Sequence, residues 1–210
     1  MLTEAELVEC FQYIMTNRII DIARGHDIIH NGTVDQGSYG MAPYIAYNGS
    51  SNYGTRPAGA LKGLSGFTVG GWFQMTSGDF LVGVWQTAAN QVWRLFVNAS
   101  APTFYVSSTG ANSFTVAAGN ITAGQWCFIA ARYTPSTELA IWLNATKTVN
   151  TTSIPASLYD SASANFSVGG DHGGSNLLTG KVSMLWMSHE PLADNHMTLL
   201  FQMSRHLYGV

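Results

Sequence analysis

The sequence predicts an all-β protein built as an antiparallel jelly-roll sandwich. Two observations carry that reading. From Gly66 to Trp186, short runs rich in β-branched and aromatic residues follow one another, each bounded by Gly, Ser, Asn, Thr or Pro. Several of these runs also carry a tryptophan, at Trp72, Trp126, Trp142 and Trp186, where a half-buried strand would present it to a core.

The elements follow in order. Thr3 and Glu6 form a capping-box pattern, and Leu7, Cys10, Phe11 and Ile14 lie at helical spacing, which predicts a helix over 3–18. Glu4, Glu6 and Glu9 in its first turns suit the positive end of the helix dipole. Residues 21–59 are rich in Gly and Asn, with strand-like pieces at Ile28-Ile29 and Pro43–Tyr47. Strands are then expected at Phe67–Trp72, Phe80–Trp85, Val92–Asn98, Thr103–Ser107, Ser113–Ala117, 126–133, 139–144, Phe166–Gly170 and Leu178–Trp186. Thr109, Gly110, Ala111 and Asn112 make a hairpin turn, and Thr134, Pro135, Ser136 and Thr137 make another. Leu192–Tyr208 reads as a final helix starting at Ala193-Asp194, with Met197, Leu200, Phe201 and Met203 as an apolar stripe expected to pack on the sandwich edge. The chain thus divides into a helical extension over 1–20 and a sandwich over 21–210.

Composition narrows the partners. The chain has 210 residues, a formal net charge of −3 and only 10% charged residues, against roughly 25% in an average soluble domain. Between residues 31 and 130 the charged residues are Asp35, Arg56, Lys62, Asp79 and Arg94. With no basic surplus to neutralise phosphates, nucleic acid is not expected as a partner. Two readings fit the charge deficit: a neutral sandwich covered by Ser and Thr, or a surface buried against neighbouring subunits, whose interface cores lack charge. The acidic N-terminus has no apolar h-region, so no signal peptide is expected. No apolar stretch reaches membrane-spanning length, so no membrane partner is expected either. Cys10 and Cys127 read as small buried hydrophobes rather than a disulfide.

Seven segments in order resemble one family: His30–Val34, Ala46–Tyr53, Phe67–Trp72, Gly124–Trp126 with Ala130–Tyr133, Leu139–Asn144, Val168–Gly170 with Leu178–Val182, and Pro191-Leu192. Over roughly 21–210 the chain is similar to the laminin-G-like, concanavalin A-like lectin/glucanase superfamily. The resemblance implies two antiparallel sheets of six or seven strands packed face to face. It also implies that ligands, where present, sit at the loop-bearing rim or on the concave sheet, with calcium in some members. The family's Asn-Gly turn is replaced here by Asn144, Ala145 and Thr146, and the helix over 3–18 lies outside the pattern.

Glycosidases of this fold carry a closely spaced acid pair, because retaining hydrolysis needs nucleophile and acid within about 5–5.5 Å. The glutamates here stand at 4, 6, 9, 138 and 190, none with an acidic partner at strand spacing, so catalysis is not expected. There is no Gly-x-Ser-x-Gly elbow and no phosphate-binding glycine loop. His26 and His30 are spaced i, i+4, but Gly25, Ile28 and Ile29 argue against the helix a metal pair would need. The strongest binding candidate is the loop Gly169–Asn176, with Asp171, His172 and Asn176. It reads as a ligand loop at the rim or as a plain turn between strands. Calcium needs six to eight oxygens, and one nearby carboxylate supplies few, so no cofactor is expected. Trp85, Trp93, Trp142 and Trp186 could stack on sugars, but their strand neighbours favour core packing.

The sequence therefore points to a non-catalytic protein that acts by binding. Its Met1, its lack of a secretion signal and its five central charges suggest a decoration (cement) or tail accessory protein of a phage-like virion, assembled in the host cytoplasm. The expected partners are other virion structural proteins and copies of itself in a homo-oligomer, with Leu7, Phe11 and Ile14 as assembly contacts. The alternative is a lectin-like module that binds glycans for surface attachment.

Overall fold

The structure is a computed structural model. It describes residues 27–76, 79–86 and 89–210, and the backbone of 9–13 and 18–21. In chain order the strands are β1 (Glu9–Tyr13), β2 (Arg18–Asp21), β3 (Ile28–Asn31), β4 (Asp35–Tyr39), β5 (Ala42–Asn48), β6 (Tyr53–Pro57), β7 (Phe67–Met75) and β8 (Phe80–Gln86). Then come β9 (Asn90–Asn98), β10 (Ala101–Val106), β11 (Phe114–Ala117), β12 (Trp126–Thr134), β13 (Glu138–Leu143), β14 (Thr146–Asn150), β15 (Asn165–Val168) and β16 (Thr179–Ser188). One helix, α1 (Asp194–Ser204), follows.

All pairings are antiparallel. The first sheet runs β14-β13-β12-β7-β16-β5-β4 and the second runs β11-β10-β9-β8-β15-β6-β3. β1 and β2 link the two: β1 pairs β16 at Glu9 and Cys10, then pairs β2, which pairs β3 of the second sheet. The jelly-roll sandwich expected from the sequence is therefore the fold.

Between the sheets, alternate residues of facing strands form the main core. Phe67, Val69, Phe73 and Met75 of β7 meet Cys127, Ile129, Ala131 and Tyr133 of β12 and, from the second sheet, Trp93, Leu95, Phe104, Phe166 and Val168. Phe67 packs its ring on Trp93 at 4.8 Å and on Phe104 at 5.8 Å. The opposite residues of the first sheet, Trp72, Trp126, Phe128, Ala130, Trp142 and Trp186, form a second apolar layer, roofed by Leu192, Met197, Phe201 and Tyr208. The helix stripe thus packs on a sheet face, not on the sandwich edge, because that face is itself aromatic. α1 is fastened at its start by Lys147 and Arg132, both paired with Asp194, and Arg132 also bonds Glu138 and the Leu192 carbonyl.

The expected N-terminal helix is not found where it can be checked. Residues 9–13 are a strand, with Phe11 opposite Asp21 on the backbone ladder. The spacing of Leu7, Cys10, Phe11 and Ile14 mimics a helix face, but the free edges at β16 and β3 offer backbone partners that outweigh local propensity. Leu7, Ile14 and His26 lie outside the described residues. Among the described residues, no helix is long and apolar enough to cross a membrane.

Candidate functional site

The two outer faces of the sandwich differ. α1 and its flanks cover much of the first; on the second, among the described residues, the loop after β15 folds back onto β8 and β15. Register puts seven residues of the second sheet in one row: Thr115, Tyr105, Arg94, Gly83, Ser167, Thr55 and Ile29. Their strand neighbours Phe104, Trp93, Leu95, Val82, Val84, Phe166 and Val168 are core residues, so strand alternation turns the row outward. The row is neutral apart from Arg94.

Arg94 stands in an aromatic box. Its guanidinium carbon lies 4.3 Å from the Trp85 ring, 4.5 Å from Phe96 and 4.5 Å from Tyr105. The three rings come from β8, β9 and β10, and Tyr105 also stands in edge contact with Trp85 at 6.0 Å and Phe96 at 6.4 Å. Such contacts stabilise a cation by roughly 0.5–2 kcal/mol each when desolvated. Burial pulls the Arg94 pKa down, while Tyr105 and Asp171 pull it up; an arginine keeps its charge under such opposition. Arg94 Nε and the wholly buried Ser167 Oγ, two places along the row, have no hydrogen-bond partner. Among the described residues no ion pair holds Arg94, and the Tyr105 side chain hydrogen-bonds it.

The loop Gly169–Asn176 folds back over this face. The His172 N–H donates to the Trp85 carbonyl at 3.1 Å, and its Nδ1 accepts from the Asn165 N–H at 3.2 Å. Tyr53 of β6 supports the far side: a Cβ on Gly174 would meet its ring at 3.1 Å. Asp171, 2% exposed, organises the loop. One carboxylate oxygen accepts from the N–H of Gly173 at 3.1 Å and Ser175 at 2.8 Å, and the other accepts from Asn176 Nδ2 at 3.1 Å. Asn176, in the left-handed region at φ 52°, passes its carbonyl to the Phe80 N–H. Of the three residues singled out in the sequence, Asp171 and Asn176 are thus brought together as the loop's own clasp. His172 lies on the other side, against β8 and β15. Among the described residues there is no cluster of three or more His, Cys, Asp or Glu, and both Asp171 oxygens accept hydrogen bonds from the loop itself.

The four tryptophans divide. Trp93 lies in the inter-sheet core and donates to the Leu61 carbonyl at 2.9 Å. Trp142 and Trp186 lie in the layer beneath α1. Trp85 alone belongs to the second sheet's outer face, 4% exposed beneath Arg94. His30 bonds Tyr47 Oη at 3.0 Å inside the sandwich.

Two antiparallel sheets packed face to face, with a helix laid over one outer face, define a jelly-roll sandwich. The chain belongs to the concanavalin A-like lectin/glucanases superfamily, in its third laminin G class, which matches residues 48–196. Solved structures share the fold at low identity. The binding domain of Paraclostridial mosquitocidal protein 1 is 12% identical with a TM-score of 0.74, over 98% of this chain and 55% of that one. The botulinum neurotoxin serotype G binding domain is 10% identical with a TM-score of 0.72, over 94% and 51%. The binding domain of botulinum neurotoxin DC in complex with SialylT is 10% identical with a TM-score of 0.69, over 95% and 52%. The chain thus spans about half the length of these structures. Among curated proteins, none matches the sequence.

Proposed function

We propose that this protein is a non-catalytic module that binds glycans through the outer face of its second sheet. The observation that carries the reading is the outward row from Thr115 to Thr55: the exposed Thr115, the half-buried Tyr105, Arg94 and Thr55, an aromatic box and one cation, bordered by the ordered loop Gly169–Asn176. Such a surface suits a sugar, which offers hydroxyls to polar side chains and C–H faces to rings. The fold neighbours lend support as binding domains, one in complex with SialylT and one from a toxin whose cell entry is described as dependent on two ganglioside molecules. The acid inventory supports the absence of hydrolysis: Glu138 is committed to Arg132 and Lys147. Glycan-array binding by the purified protein, with no release of reducing sugar from bound oligosaccharides, is the expected result. Turnover, or an array without a signal, rejects the proposal.

A second reading, the virion decoration or tail accessory role with structural subunits and further copies as partners, draws on another feature. Beside α1 a groove of about 200 Å³ is lined by Trp72, Phe128, Trp186 and Leu200. Met184, at 43% exposure, and Met203, at 64%, stand at it. An apolar groove rimmed by exposed methionines, whose side chains are unbranched and adaptable, suits a protein partner. Sedimentation of the native protein as a monomer, free of any particle, counts against this role and leaves the glycan reading standing.

A further inference from the structure

Arg94 is the one charged residue of the second sheet's outward row. We propose that it is a receptor for the acidic group of a sugar, a carboxylate or a sulfate ester, so that the module prefers acidic glycans over their neutral counterparts. This rests on the glycan reading above and names the ligand class for the same face.

Three observations converge on it. First, Arg94 is a cation in the middle of an otherwise neutral row, opposite Gly83 on one side and Tyr105 on the other. Secondly, among the described residues it has no counter-ion in contact. Asp171 acts on it only from a distance, with its two oxygens taken by Gly173, Ser175 and Asn176. A partly buried charge is normally paired, because desolvation without a partner is expensive. Thirdly, three rings pack around the guanidinium, 4.3 to 4.5 Å from its carbon. Stacked arginine keeps its N–H donors in the plane, where they match the two oxygens of a carboxylate or sulfate. The box therefore fixes the guanidinium before any ligand arrives, which reduces the ordering cost of binding.

The experiment is a titration of the whole protein with three sets of oligosaccharides: sialic-acid- or uronate-terminated, sulfated, and the matched neutral chains. Binding to an acidic set at least about tenfold tighter than to its neutral match is expected, and Arg94→Gln should erase that difference. Arg94→Lys should restore part of it. The carboxylated and sulfated arms tell which oxyanion is read. Should Arg94→Gln not fold, the methyl ester of the carboxylated glycan serves on the wild-type protein and should bind like the neutral chain. Equal binding of acidic and neutral glycans, or an acid preference that survives Arg94→Gln or esterification, overturns the assignment while the glycan reading stands. Binding of no glycan at all overturns both.

Discussion

Trp72 and Ser204 lie 132 positions apart in sequence and are joined by a hydrogen bond from the indole Nε1–H to the serine hydroxyl, at 2.9 Å. The same hydroxyl donates back to the Leu200 carbonyl of α1. Tyr208 stacks on Trp72 at 4.2 Å and shares Ser183 with the Pro43 carbonyl. α1 is therefore locked to the first sheet by a polar contact inside an apolar layer. We expect Ser204→Ala to destabilise the protein by about 1–3 kcal/mol, since it strands a buried indole donor. Urea unfolding measures this, and an unchanged midpoint would contradict the lock.

Asp171 should matter for the order of the loop, not through contact with a ligand. Replacing it by alanine removes the acceptor of three hydrogen bonds. Amide hydrogen exchange at Gly173 and Ser175 should then accelerate by an order of magnitude or more, while β7 and β12 amides keep their protection. Unchanged exchange in the loop would mean that the backbone alone holds it.

Acid should loosen the roof of the first sheet. Burial pushes the Asp194 carboxyl up, but hydrogen bonds from Lys147 and Arg132 and their charges more than offset it, so the group titrates below its ordinary value. A carboxyl lowered by folding adds stability that is fully present above about pH 4 and is lost as pH falls through the lower folded value. The wild-type unfolding midpoint should therefore fall more steeply below pH 4 than that of Asp194→Asn. Since Asp194 is 55% exposed, the gap should also shrink in high salt. Parallel curves for the two proteins would refute this.

Cys127 is an internal control on the core. Its thiol is buried and pushed up to about 12 by desolvation, so almost no thiolate exists at neutral pH. Iodoacetamide at pH 8 should leave the Cys127 peptide unmodified in the native protein and alkylate it fully in urea. Rapid native labelling would show that the sheets do not close over it.

The strands legible in the sequence were those whose side chains alternate against a core. β7, β9, β12 and β13 were found because Phe67, Leu95, Ile129 and Ile141 and their neighbours repeat with the pleat. β4, β6 and β14 were not, because they are short and largely polar, and only their pairing with β5, β15 and β13 makes them strands. The apolar spacing around Phe11 read as a helix for the same reason in reverse: local pattern carries no information about a distant sheet edge. Within the site, the Gly169–Asn176 loop was legible from its glycines and polar residues. Arg94 was not, because its box is assembled by register from Trp85, Phe96 and Tyr105 on three strands.

The most direct test of the account is a map of glycan contacts on the ¹⁵N-labelled protein. Titration with the tightest oligosaccharide from an array should shift the amides of Thr55, Ser167, Arg94, Tyr105 and Thr115, and those of the Gly169–Asn176 loop. Amides of α1 and of β12 should stay in place. Shifts confined to the groove between α1 and β16, or none on the second sheet, would contradict the claim that the outer face of the second sheet is the binding surface.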